Sequence, residues 1–414
     1  MAFNYTDRFA LGMVLQNIKA DLHLTDTELG LLSGIAFALF YSIMGVPIAR
    51  WADRGDRVTI IGLATGIWSA AVAACGLVGS FAHFLVMRVV VGIGEAGCVP
   101  PALSLIADYF DRAERPRAVS TYMQGISVSL ILGYFVSGWL NQLYGWRTMF
   151  ILIGLPGLGL AALARYTLKE PRRDETHTNM EPVDQPALRQ VCTTLWTSVS
   201  FRHVLYANSV MWFISYGTMQ WTPAFFIRSF GLETGELGTW FAVLYGIGGI
   251  LGTYCGGELA ARYAPHNERL QLKGMATLIA LSGILMTFVY YPVLAPNSHW
   301  AFAWLGLSNL FGAMTNGPLF AVIQTLVPDR MRAMAIAMVY LFANLVGIGV
   351  GPLAAGALSD ALRPSVGDES LRYAMLILCP GFLWGAWHLW AASKTVMQDL
   401  RINANDPSAP KMSC

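Results

Sequence analysis

Apolar runs of about 20 residues recur along the whole chain, separated by short polar joints, and this recurrence limits the possible folds more than any single motif. A helix rises about 1.5 Å per residue, so roughly 20 apolar residues cross the hydrocarbon layer of a bilayer. The runs lie near 3–20, 28–51, 58–80, 83–108, 117–143, 147–168, 203–228, 236–260, 273–293, 299–327, 332–359 and 372–393. They predict an all-α membrane protein with twelve transmembrane helices. Only 13% of residues are charged, against about 25% in soluble domains, so a string of soluble domains is excluded.

The placement of charge sets an orientation. Of the 27 Lys and Arg, 20 fall in the joints that follow even-numbered runs or in the C-terminal tail. Five lie in or beside the opposite joints, and two, Arg8 and Arg88, lie within runs. Lys and Arg concentrate on the cytoplasmic side, so both termini are expected there. The net charge of +2 gives no reason to expect a nucleic-acid partner. The first run begins almost at Met1, which suggests that residues precede it; no cleavable leader is visible.

Cysteine contributes no chemistry. Cys75, Cys98, Cys255 and Cys379 are scattered through runs, Cys192 lies in the linker and Cys414 ends the chain. Their spacing matches neither a disulfide framework nor a zinc site, and no metal or organic cofactor is expected.

One long polar stretch, 169–202, divides the chain into 1–168 with six runs and 203–393 with six more, followed by a tail at 394–414. Its second part could lie as a helix on the membrane surface. The two halves repeat. Glu28, Leu29, Gly30 and Arg54 match Glu236, Leu237, Gly238 and Arg262 at one offset of 208. Arg117-Ala118 is matched by Arg332-Ala333, and "GWRTMF" more faintly by "LRYAM". Repeated six-helix halves related about the membrane normal describe a carrier that opens alternately to either side.

Two motifs accompany the repeat. "ARWADRGDRV" joins runs 2 and 3 and contains Asp53, Arg54 and Arg57; "RVVVGIG" opens the core of run 4. With the repeat, these resemble the major facilitator superfamily over the whole length, which implies two pseudo-symmetric six-helix bundles. Ala49 and Asp56 stand where that family's loop usually has glycines. The resemblance assigns the loop to a cytoplasmic gate, with Asp53 able to cap a neighbouring helix N-terminus. In run 5, Gly125, Gly133 and Gly138 lack the Gly-Pro of the antiporter signature, and Gly351-Pro352 in run 11 is closer to it.

Charges inside a bilayer are costly and mark transport or proton routes by default. Asp7 stands twelve residues before Lys19, roughly 18 Å from the end of run 1 and so near the midplane. Glu95 is central in run 4, and Arg88, seven residues earlier, shares its face about 10 Å away. Asp7, Arg8, Arg88 and Glu95 are expected to form one polar cluster, either a proton-coupling group or a static network that fixes helix register. Asp7 and Arg8 point about 100° apart, so only one can face a central cavity squarely. The same stretch contains "GIGEAG", a literal match to the dinucleotide fingerprint. That fingerprint needs a preceding strand and a helix start in water. Here it lies within a membrane helix, where small residues serve close packing.

Runs 7 to 12 carry no acid or base in their interiors. They offer aromatics and amides, and Trp212, Tyr216, Gln220, Tyr245, Asn316 and Asn344 are candidates for the substrate cavity. A charged half facing an apolar half suits an amphipathic substrate better than a sugar.

Asn4-Tyr5-x-Asp7-Arg8 together with Gly92-x-Gly94-Glu95-Ala96 resembles the spinster family, and the compact linker and loops point to a bacterial member. The resemblance implies proton coupling through an Asp-Arg pair and the glutamate of run 4, with lysolipid or sphingoid cargo. The expectation is a proton-coupled secondary transporter, not an enzyme, in the bacterial inner membrane. It would be a monomer among membrane lipids, powered by the proton gradient and moving an amphipathic lipid-like or drug-like molecule. An uptake carrier for small organic anions is the alternative, with Arg8 or Arg88 binding the substrate; a membrane sensor without net transport is the third. In the expected mechanism Glu95 exchanges the proton, Arg8 is its cation in one conformation, and Asp7 competes for that cation.

Overall fold

The computed structural model describes residues 1–111, 114–171, 188–265, 267–327 and 331–404, and the regular elements among them are all helical. Each expected run is helix. The first four spans are Ala2–Leu22, Asp26–Ser33 continuing as Ile35–Arg54, Arg57–Cys75, and Phe81–Ala96 continuing as Val99–Tyr109. The fifth and sixth are Arg115–Met123 and Gly125–Thr167, divided at Gly145, whose φ of 79° no helix accommodates. A helix at Leu188–Thr197 precedes span 7, Val199–Phe230. Spans 8 and 9 are Thr234–Tyr263 and Glu268–Tyr290. Span 10 is Ser298–Ala313 continuing as Asn316–Thr325, and span 11 runs from Arg332 through a π-helical stretch to Val366. Span 12 is Ser370–Leu378 continuing as Pro380–Ala404.

Seven helical segments are long and apolar enough to cross a membrane. Two of them, of 51 and 68 residues, are more than twice the length one crossing requires. Each therefore holds two crossings, consistent with twelve spans in all.

Short polar residues in the joints start the helices. Thr25 and Glu28 form a reciprocal capping box, and Asp56, Asn267 and Asn297 accept from backbone N–H groups of the helices they precede. Interior breaks recur in corresponding spans. Gly34 interrupts span 2, and 208 residues later the π-helical Ala242–Ile247 interrupts span 8. Spans 4 and 10 break near Gly97 and Met314. Such irregularities frequently mark functional positions.

The described residues form two compact units. One gathers spans 1 to 6 with residues 216–246 and 348–374; the other holds the start of span 7 to Ser215, residues 247–347 and the chain from Met375. The units differ from the chain halves because parts of spans 7, 8 and 11 pack backbone-close on first-half helices. A Cβ on Gly30 would lie 2.6 Å from the Pro352 carbonyl oxygen. The repeat partner, Gly238, meets the Tyr134 carbonyl as tightly. Each repeated glycine therefore marks a close crossing, of span 2 with span 11 and of span 8 with span 5. Within the second unit, spans 9 and 10 are pinned by Ser282 and Ser308, whose hydroxyls lie 2.9 Å apart. Asp399 accepts from the Ser200 backbone N–H at 2.7 Å, tying the end of span 12 to the start of span 7.

Candidate functional site

Span 1 carries Asp7 and Arg8 on adjacent positions, and both find partners on span 4. Arg8 donates to Glu95 Oε2 from Nε at 2.8 Å and from Nη2 at 2.5 Å. Arg88 donates from Nη1 to Asp7 Oδ2 at 3.0 Å and from Nε to the Leu32 carbonyl at 3.4 Å. All four residues are buried, Asp7 and Glu95 fully. The four residues expected to cluster lie together, Arg8 against Glu95 and Arg88 against Asp7. Asp7 pairs with Arg88 and not with Arg8, because the 100° between neighbouring helix positions sends them to different turns of span 4. Asp7 is the member turned away from the cavity.

Arg8 also sits in an aromatic box. Its guanidinium carbon is 4.2 Å from the centre of the Tyr5 ring, 4.4 Å from Phe37 and 4.9 Å from Tyr41. Desolvated cation–π contacts of this kind are worth about 2 kcal/mol. Phe37 and Tyr41 were not legible as partners in the sequence, since contacts between spans 1 and 2 depend on helix rotation, whereas Tyr5 precedes Arg8 by three residues on the same helix, a spacing that makes them neighbours.

A small cavity of about 20 Å³, room for roughly one water, lies beside this cluster within the first unit, lined by Arg8, Phe37, Arg88, Tyr216, Met219 and Gln220 among others. Two sequence candidates, Tyr216 and Gln220, thus share the lining of one cavity with the two arginines. The Gln220 amide nitrogen is buried without a hydrogen-bond partner, and Gly12 admits it: a Cβ there would lie 3.2 Å from that nitrogen. Tyr245 belongs to a different feature, stacked on Tyr134 at 5.6 Å and against Phe241 at 5.7 Å in a buried aromatic cluster. Trp212, Asn316 and Asn344 lie in the second unit. There Trp212 packs on Tyr340 at 6.4 Å, Asn316 is exposed and Asn344 stands in the π-helical stretch of span 11.

At the span 2–3 joint, the side chain of Asp53 lies outside the described residues. Asp56, three residues further on, caps the helix of span 3 by accepting from Thr59 N at 2.7 Å. Arg54 is exposed. Arg57 is fully buried and bound to both oxygens of Glu170, to Asp108 at 2.5 Å and to the Ser104 hydroxyl at 3.0 Å. It ties spans 3 and 4 to the end of span 6 within one unit.

The other end of the first unit holds a group of contacts the sequence reading missed. Asp26, 1% exposed, accepts from Arg228 Nη1 and Nη2 at 2.8 and 2.7 Å, from Lys19 at 2.5 Å and from Ser359 at 2.7 Å. Arg228 also donates from Nε to Gln16 at 2.7 Å. Asp360 accepts from the backbone N–H groups of Asp26 and Thr27 at 3.1 and 2.7 Å, so span 11 caps the N-terminus of span 2. Nearby, Thr234 donates to the Gly138 carbonyl and accepts from Asn141. Spans 1, 2, 7 and 11 are thus latched at one end. Lys19, Asp26 and Arg228 read as ordinary joint charges in sequence, and nothing local marks their convergence across 200 residues.

Twelve spans, buried ion pairs and a cavity between them define a polytopic membrane carrier. The chain belongs to the Major Facilitator Superfamily, whose family model matches residues 1–352. An MFS-type efflux pump of Mycolicibacterium smegmatis is 33% identical over 96% of this chain and 91% of its own. Protein spinster homolog 1 of Xenopus tropicalis is 27% identical over 94% of this chain and 78% of its own. Among solved structures, a bacterial homolog of the human lysosomal transporter Spinster, inward-facing and unoccupied, superposes with a TM-score of 0.86. It is 28% identical, over 96% of this chain and 95% of that one. The chain is a membrane transporter of this superfamily and is similar to spinster proteins.

Proposed function

We propose that this transporter is proton-coupled, works by alternating access, and moves an amphipathic lipid-like or drug-like molecule with an acidic head. The observation that carries the reading is the composition of the cavity wall. Arg8 and Arg88, each held by a buried carboxylate, stand on one side and Tyr216, Met219 and Gln220 on the other. A head with acceptor oxygens would bind the guanidinium groups, and the apolar body would lie on the aromatic and Met surfaces. Such a head competes with Glu95 for Arg8. When the arginine leaves, an ionised Glu95 would be an unpaired buried charge, so it takes a proton. Cargo and proton are thereby linked through one guanidinium.

The latch around Asp26 is the extracellular gate in this scheme, and Arg57 holds the first bundle together at the cytoplasmic joint. The efflux pump among the similar proteins supports an exporting carrier, while a probable L-galactonate transporter of Escherichia coli, 25% identical over 90% of this chain, supports the alternative, an uptake carrier for small organic anions with Arg8 or Arg88 binding the substrate. The reading places both termini in the cytoplasm, the protein as a monomer in the bacterial inner membrane, and the proton gradient as the energy source without a bound cofactor. The test is flux of a fluorescent lysophospholipid in proteoliposomes across an imposed pH gradient. Transport that a protonophore abolishes supports the proposal; transport indifferent to the gradient contradicts it.

A further inference from the structure

Asn4 is buried to 4% exposure, yet neither its amide nitrogen nor its amide oxygen has a partner. Burying an unpaired amide group costs about 1–3 kcal/mol. Thr6, buried on the same helix, shows the ordinary solution: its hydroxyl donates to the Ala2 carbonyl at 2.9 Å. Asn4 has no such bond. At about 100° per residue, it points between Asp7 and Arg8, on the face that meets span 4. The remaining buried oxygens of the cluster, Asp7 Oδ1 and Glu95 Oε1, meet no other donor and belong to two carboxyl groups that interact with one another, so one proton shared between them satisfies both. Asn4 therefore presents an unpaired amide on the same helix face as a carboxyl pair that needs a proton. The other titratable or charged groups facing the cluster are Tyr5 and Arg8 from span 1, Tyr41 from span 2, Cys75 from span 3, Arg88 and Cys98 from span 4 and Tyr122 from span 5.

We infer that Asn4 is a positioning residue for proton transfer, the last polar station between the N-terminal end of span 1 and the Asp7–Glu95 carboxyls. The inference rests on Glu95 being the proton-exchanging group. A carboxamide suits the position because it serves either protonation state. Its N–H donates to a carboxylate, and its C=O accepts from a carboxylic acid. It holds no proton itself and leaves the charge of the cluster unchanged. An apolar side chain of equal size would preserve both arginine pairs while removing the station.

The test is infrared spectroscopy of the full chain in nanodiscs. The C=O band of the protonated carboxyl is followed after transfer from water to deuterated water, and is assigned by its loss in Glu95→Gln. Asn4→Leu is expected to slow the exchange about tenfold, the effect of one lost hydrogen bond on the barrier. Asn4→Val should behave like Leu and Asn4→Thr like the wild type, a pair that also serves if Leu does not fold. Exchange in Asn4→Leu and Asn4→Val as fast as in the wild type overturns the inference. A band that persists in Glu95→Gln overturns the underlying assignment of Glu95 instead, so the two failures are distinguishable.

Discussion

Replacing Asp26 with Asn should open the latch at the span 1–2 joint. The amide keeps the shape of the carboxylate and removes its charge, leaving Lys19 and Arg228 against each other with no anion between them. Three groups converge on that carboxylate at 2.5 to 2.8 Å. Breaking a buried ion pair by removing one partner costs about 3–5 kcal/mol. Lys19 and Arg228 keep 14% and 12% of their side-chain surface, so the low end, about 3 kcal/mol, is appropriate. If the latch is a gate, as proposed, it breaks on opening, and the whole amount then acts on the conformational equilibrium. At 1.4 kcal/mol per tenfold, the shift is on the order of a hundredfold, enough to turn a 99:1 closed population into roughly equal parts. Spin labels on the exposed positions His23 and Asp368, in the joints of spans 1–2 and 11–12, would show a second, longer distance in Asp26→Asn. A single unchanged distance, with the variant folded, would refute the assignment of Asp26 to the gate.

Two further substitutions separate structural from transporting roles. Arg57→Met leaves the buried Glu170 without its cation and should lower stability by about 3 kcal/mol or more, read as an early thermal unfolding transition. An unchanged transition with altered transport would return Arg57 to the gate that the sequence suggested. Gln220→Leu removes an unpaired donor from the cavity and should weaken cargo binding about fivefold with its pH dependence unchanged; an altered pH dependence would place Gln220 in proton coupling.

The spans were legible because hydropathy and helix rise are local properties, and the repeat was legible because Gly30 and Gly238 kept their offset. The structure supplies the reason for that retention, a close backbone crossing at both. The cluster of Asp7, Arg8, Arg88 and Glu95 was legible by the same reasoning, since a charge amid twenty apolar residues stands out. Arg8 beside Glu95 was anticipated, whereas Arg88 beside Asp7 was not. Whether Arg8 or Arg88 takes Asp7 depends on the rotation of spans 1 and 4 about their axes, and sequence spacing leaves that free. The Asp26 latch was hidden for another reason. Acids and bases at span ends are common, and only packing selects which of them meet. Asn4 was quoted in a motif, but its unpaired amide could be seen only once its neighbours were in place.

The central claim is that Glu95 carries the coupled proton. The most direct measurement is pH-gradient-driven flux of the lysophospholipid in proteoliposomes containing Glu95→Gln, with binding measured in parallel. Gln has the size of a protonated Glu and cannot release a proton. Binding retained within a few-fold, with gradient-driven accumulation abolished, is the predicted result. Accumulation at the wild-type level across the same gradient would contradict it.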